Sequence, residues 1–221
     1  MAKKVMIAVP SMDMVPMLFA QSLAMLEKAG PTVIMTQISS LIYTARNNLA
    51  AGAIENEADY VLWLDSDMVF PSGTLVHMLK VMEEMGEGVI LTGAYFRRVA
   101  PYNPVLYDKL DFDEKGNAVW KDLMHIPDEP FEVEGCGFGC VLCPTEAFVD
   151  VSQKFRQLFD PINGTGEDLS FCWRARQCGY RIVCDPRIHL GHYASHVITR
   201  GYWEDYSAFK EAQKNGTGQD T

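Results

Sequence analysis

Residues 4–9, Lys4 followed by five apolar residues, read as a buried strand that stops at Pro10. The period then changes. Leu18, Ser22, Met25, Leu26 and Ala29 fall near helical spacing and Gly30 follows, which predicts a helix over 16–29. A second strand is expected at 32–37 and a helix from about Leu41 to Ile54. A third apolar strand, Tyr60 to Leu64, runs straight into Asp65-Ser66-Asp67. Pro71 and Ser72 open another helix ending near Gly86, and Val89 to Leu91 reads as a fourth strand. Strands alternating with helices predict an α/β fold with a mostly parallel, Rossmann-like sheet flanked by helices.

The pattern shifts after residue 95, where Pro, Asp and Tyr become more frequent. Lys115-Gly116-Asn117 reads as a turn between two short strands, and 131–143 as extended segments interrupted by glycine. Together they predict a small antiparallel subsheet beside the main one. A short helix is expected after Pro144. A further helix runs from about Glu167 to Cys178, closed by Gly179, and a last strand from Tyr180 to Cys184. With no repeats and no obvious linker, residues 1–200 read as one domain. Residues 201–221 read as a short helix and a polar, disordered tail.

The formal net charge of −10 argues against a general nucleic-acid binder, because phosphate contacts need Lys and Arg. It leaves room for a small anionic ligand, since a bound metal ion and a few arginines reverse the local field. No stretch is apolar enough to span a bilayer. Lys3-Lys4 followed by an apolar run resembles an export signal, but Pro10 and Asp13 interrupt it, which predicts a soluble, cytoplasmic protein. In that compartment the six cysteines are expected as thiols. The Cys136, Cys140, Cys143 cluster invites comparison with a zinc site. Its spacing is not that of paired CxxC ligands, and an apolar, glycine-containing strand accounts for it.

The chemistry concentrates in three places. Asp65 and Asp67 are two apart, so in extended chain both carboxylates face one side at the carboxyl end of a buried strand, where open α/β sheets bind ligands. Two hard oxygen ligands there suit Mg²⁺ or Mn²⁺ shared with ligand phosphates. Such aspartates also serve simply as turn formers. Glu167-Asp168 opens a helix, where Thr165 and Asp168 satisfy a capping-box pattern and acidic residues favour the helix dipole. A helix N-terminus also holds a carboxylate rigidly enough to act as a base. His189, His192 and His196 fall within a short span, and an imidazole would complete an Asp-Asp-His site.

Taken in order, these pieces resemble the GT-A glycosyltransferases, in particular the large inverting family of bacterial and phage sugar transferases. The matching residues are Val9-Pro10, Thr44-Ala45-Arg46-Asn47, Leu62 to Asp67, Gly166-Glu167-Asp168 with Arg174 and Gly179, and Leu190-Gly191-His192. The resemblance implies a nucleotide-sugar donor, UDP- or GDP-linked, and a Mn²⁺ or Mg²⁺ ion. Asp65, Ser66, Asp67, Pro10 and Arg46 would line the donor site, and Asp65, Asp67 and His192 would hold the metal, with His189 as the fallback. Asp168 would be the general base and Glu167 its orienting partner. Arg97 or Arg98 would add positive charge from a loop. Where the family carries an acidic residue after the second strand, this chain has Gln37, the expected substitute, followed by Ser39-Ser40. Two rivals stand beside this reading. Asp65 and Asp67 also resemble the nucleophile motif of haloacid dehalogenase-like phosphatases, and a non-catalytic nucleotide-sugar-binding module would keep the fold without turnover. The acceptor is not readable from the chain.

Overall fold

The computed structural model describes residues 2–194 and 197–216. The first half alternates strand and helix: β1 (Val5–Ser11), α1 (Met17–Met25), β2 (Thr32–Ile38), α2 (Ile42–Glu55), β3 (Tyr60–Leu64), β4 (Met68–Val69), α3 (Thr74–Met85) and β5 (Val89–Gly93). The second half is richer in short strands: β6 (Leu106–Phe112), β7 (Ala118–Asp122), β8 (Phe131–Val133), β9 (Gly135–Cys136) and β10 (Cys140–Pro144). It continues with α4 (Glu146–Phe155), α5 (Glu167–Gln177), β11 (Arg181–Asp185), β12 (Gly191–Tyr193), β13 (Val197–Ile198) and α6 (Arg200–Gly216). His196 and the polar end expected beyond α6 lie outside the described residues.

The main sheet has the strand order β2-β1-β3-β10-β5-β11-β8. It is mostly parallel: β2, β1 and β3 run together, β5 and β11 run with them, and β10 and β8 run against their neighbours. Two small antiparallel sheets, β13-β12-β4 and β7-β6-β9, sit beside it. Period-two alternation explains why the central strands are continuously apolar. In β3, Val61 and Trp63 enter one core layer while Leu62 and Leu64 enter the other. Trp63 is fully buried against Phe138, Phe148 and Phe159, with ring centroids 5.2–6.0 Å apart. At the far end of the chain, Trp203 of α6 stacks on Phe96 at 5.7 Å and joins that layer. Among the described residues, no helix is long and apolar enough to cross a membrane.

Two local expectations are corrected, and the second strand takes a place in the sheet that its sequence did not fix. The helix expected over 16–29 ends at Met25, because Leu26 turns extended and Glu27 donates its N–H to the Ser72 carbonyl at 2.9 Å. Strand β2 is not buried on both faces. It is the sheet edge, paired only with β1 among the described residues, and Val33, Ile34 and Ile38 are exposed. Helix α5 is not capped by Thr165. Gly166 occupies the cap position without a side-chain bond, and Asp168 turns back to its neighbour, accepting the Leu169 N–H at 2.7 Å.

Candidate active site

The carboxyl ends of β1 and β3 open into a cavity of about 350 Å³. Pro10, Arg46, Asp65, Ser66, Asp67, Glu167 and Asp168 all line it, beside Ser11, Met12, Ser39, Ser40, Ile42, Tyr95 and Phe138. A larger cavity, about 520 Å³, is lined by mainly apolar groups such as Phe70, Ile126 and Ile188, and by no carboxylate. Of the two, the smaller one therefore holds the carboxylates. His189 lines the larger cavity and is not in the smaller cavity's lining. Gln37, facing Pro10 across β1 and β2, is outside the smaller cavity's lining and donates to the Ile38 carbonyl at 3.3 Å.

Arg46 organises one wall. It projects from the buried face of α2, only 2 % exposed, with its guanidinium over the Trp63 and Phe138 rings at 5.6 and 5.4 Å. Nη2 donates to Asp65 Oδ1 at 2.9 Å and Nε donates to Glu167 Oε1 at 3.2 Å. Burial opposes the charge on Arg46, but Asp65, Glu167 and Asp168 outweigh it and raise its pKa. The next residue, Asn47, fixes the approach to α5: its amide accepts the Phe159 N–H at 2.9 Å and donates to Asp160 at 3.1 Å. Arg174 holds the same segment from the other side, donating to the Leu158 and Asp160 carbonyls at 2.7 Å each. Together these contacts fix the stretch of chain that leads into Glu167 and Asp168.

The two aspartates do not act as a matched pair. Strand β3 ends at Leu64, and a turn closed by the Met68 N–H on the Asp65 carbonyl carries residues 65–67. Asp65 turns to Arg46, whereas Asp67 turns to the other wall. There its Oδ2 lies 3.0 Å from Arg98 Nη1 and 3.4 Å from His192 Nε2. Burial pushes Asp65 upward, with Arg46 countering. For Asp67 the bond and charge of His192, with Arg98, overcome burial and lower the pKa. His192 is tied by Nδ1, 2.7 Å from the Phe96 carbonyl. A carbonyl only accepts, so Nδ1 carries a proton. In the neutral ring, Nε2 then presents its lone pair to Asp67.

That arrangement tests the expected metal. Among the described residues, no three His, Cys, Asp or Glu side chains converge as a ready metal site. Of the expected trio, Asp65 is bonded to Arg46. Asp67 and His192 remain as an oxygen and a nitrogen facing each other, and a metal bound between them takes the place of the Nε2 proton that the charged ring donates to Asp67. A divalent ion that draws its other ligands from phosphate and water suits that pair. The cysteines form no such group: Cys136 lies 4.0 Å, sulfur to sulfur, from Cys172, and all six are free thiols.

Asp168 is the remaining carboxylate. Burial, then the neighbouring Glu167 charge, raise its pKa to about 6. Tyr95 was not anticipated from the sequence, although the glycines opposite it carry a signal. Gly139 donates its N–H to the Tyr95 hydroxyl at 3.2 Å, and a Cβ on Gly137 would lie 2.0 Å from that oxygen. Burial, followed by the Asp65 and Asp168 charges, raises the Tyr95 pKa well above its ordinary value, so the phenol stays neutral.

No protein-family model and no curated protein matches the chain. Solved structures do. The chain is similar to A197 from STIV, with a TM-score of 0.65 and 19% identity over 90% of this chain and 91% of that one. It is also similar to GalNAc-T7, solved with UDP, GalNAc and Mn²⁺, with a TM-score of 0.60 and 11% identity. That match covers 86% of this chain and 44% of the other. At such identities the likeness establishes architecture: the fold is GT-A-like, a large mostly parallel sheet between helices with small antiparallel sheets beside it. One of these two structural neighbours, GalNAc-T7, is a glycosyltransferase.

Proposed function

We propose that this chain transfers a sugar from a nucleoside-diphosphate sugar, UDP- or GDP-linked, to an acceptor hydroxyl with inversion at the anomeric carbon. The observation that carries the reading is one cavity, at the strand ends where α/β sheets bind ligands, lined by both Asp67 and an Asp168 whose pKa burial raises to about 6. The likeness to a structure holding UDP, GalNAc and Mn²⁺ supports it.

Asp67 and His192 would hold Mn²⁺ or Mg²⁺. Bound there, the ion supplies Lewis-acid stabilisation to the charge developing on the departing diphosphate. The rest falls to the chain's own side chains. The acceptor hydroxyl is a weak nucleophile, and Asp168, as carboxylate, takes its proton while the oxygen attacks the anomeric carbon. The bond from that carbon to the phosphate oxygen breaks on the opposite face, and the nucleoside diphosphate leaves. Glu167, held by Arg46, keeps the start of α5 oriented. The Glu167 charge also keeps the Asp168 pKa close to neutral, where a general base works best.

A phosphatase would use Asp65 as nucleophile, yet Asp65 Oδ1 is engaged by a buried guanidinium. No geometric feature favours that alternative.

The test is thermal unfolding with UDP-, GDP-, dTDP- and CMP-sugars, each with and without Mn²⁺. A donor at a hundred times its Kd adds about 2.7 kcal/mol to the folded state. The expected result is a Mn²⁺-dependent rise with one nucleotide that disappears in Asp67→Ala. No rise with any donor refutes the reading. Turnover with the donor so identified, followed by NMR of the product anomer, checks inversion.

A further inference from the structure

Asp67 Oδ2 serves two partners at once, Arg98 Nη1 at 3.0 Å and His192 Nε2 at 3.4 Å. Arg98 belongs to the loop between Phe96 and Pro104, whose base is firmly tied. The Arg97 N–H donates to the Asn103 carbonyl at 3.0 Å. Both side chains then grip Asp122, Arg97 at 3.0 Å and Asn103 at 3.1 Å. Arg98 itself is half-exposed, with only its charged tip engaged. The backbone beside Arg98 is anchored, and the side chain is half open to solvent.

A guanidinium and a divalent ion held on one carboxylate oxygen repel each other at contact distance, so each weakens the other's hold on it. We propose that Arg98 is a displaceable counter-ion. It neutralises Asp67 while no metal is bound, is expelled by the metal, and then meets the diphosphate of the donor. Its anchored loop keeps the freed guanidinium beside that site, and a guanidinium fork matches phosphate oxygens. Arg98 is thus a positioning residue acting in opposite directions on two ligands. The proposal rests on the reading of Asp67 and His192 as the metal pair of a sugar-transfer site.

The experiment titrates the full chain with MnCl₂ alone, following free Mn²⁺ by electron paramagnetic resonance. It then titrates UDP or GDP calorimetrically at saturating Mn²⁺. Loss of a half-exposed ion pair in Arg98→Ala is expected to tighten Mn²⁺ by about fivefold or less. Loss of a charged hydrogen bond is expected to weaken the nucleoside diphosphate by roughly tenfold or more. Arg98→Lys should fall between wild type and alanine in both titrations. Mn²⁺ bound by Arg98→Ala but not by wild type would support the proposal still more strongly. Unchanged or weaker Mn²⁺ binding in Arg98→Ala, with binding still lost in Asp67→Ala, overturns the counter-ion and leaves the metal pair standing. Unchanged diphosphate affinity overturns the clamp. Mn²⁺ binding that Asp67→Ala leaves as tight as wild type, or that no variant has, removes the site reading and this proposal with it.

Discussion

Arg46 and Glu167 are 121 positions apart in sequence and 3.2 Å apart in the fold, Nε to Oε1. The same guanidinium bonds Asp65 and lies over two aromatic rings, so α2, β3 and α5 meet on one side chain. Arg46→Ala leaves two carboxylates facing each other and is expected to destabilise the protein by about 3 kcal/mol. Arg46→Lys keeps the charge but loses the planar fork and is expected to recover only part of that. Urea unfolding of the two variants measures both.

Metal affinity should separate the two aspartates. Because Asp67 and His192 face each other and Asp65 is bound to Arg46, Asp67→Ala and His192→Ala are each expected to weaken Mn²⁺ by about tenfold or more. Asp65→Asn should change it much less. Calorimetric titration with Mn²⁺ decides the matter, and equal losses in all three variants would restore the three-ligand site.

Asp168 must be unprotonated to accept a proton, and its pKa is raised to about 6. The rate should therefore climb as pH rises through about 6 and level off above it. Asp168→Asn is expected to lower kcat by roughly 10²–10⁴-fold, to lose that rising limb, and to bind donor nearly as wild type does. Steady-state kinetics from pH 5 to 8, with donor titrations of the variant, test all three.

The same raised pKa predicts a stability gain. A carboxyl group that holds its proton more tightly when folded stabilises the fold fully below the unfolded carboxylate pKa. That contribution is lost as pH rises through about 6. At pH 7.5 the buried charge is a net cost, so Asp168→Asn should be more stable than wild type by about 2 kcal/mol. At pH 4 the gain should largely vanish. Paired thermal unfolding at the two pH values checks the sign.

Gly137 leaves room for Tyr95. An added Cβ would lie 2.0 Å from the phenol oxygen and 2.7 Å from Val105 Cγ1, so Gly137→Ala is expected to destabilise by about 1–3 kcal/mol. Tyr95→Phe in the same chain removes the nearest atom and should return part of that loss. A double-mutant cycle by urea unfolding gives the coupling.

The order of strands and helices was legible because the central strands are apolar on both faces and the helices have their own period. The fold class follows from that alternation. What failed was local or long-range. The turn at residues 65–67 begins one residue after β3 ends, so the alternation that would align Asp65 with Asp67 no longer holds. The edge position of β2 cannot be read from its composition, since Val33 and Ile34 look like core. Tyr95 lies in a stretch without periodicity, and only its partners Gly139 and His192, 44 and 97 residues away, give it meaning. The Gly135 to Gly139 run held the clue to Tyr95, because closely spaced small residues mark the approach of something large.

Strand β10 lies between β3 and β5, although both precede it by more than 45 residues in the chain. During synthesis β3 and β5 therefore wait with unsatisfied edges until residue 144 has left the ribosome. The hydrophobic centre of the sheet closes only when this late antiparallel strand inserts, a high-contact-order step. Nascent chains stalled before that point should present the facing edges of β3 and β5 to chaperones, and chains stalled after it should leave open, of these, only the β5 edge that β11 later covers.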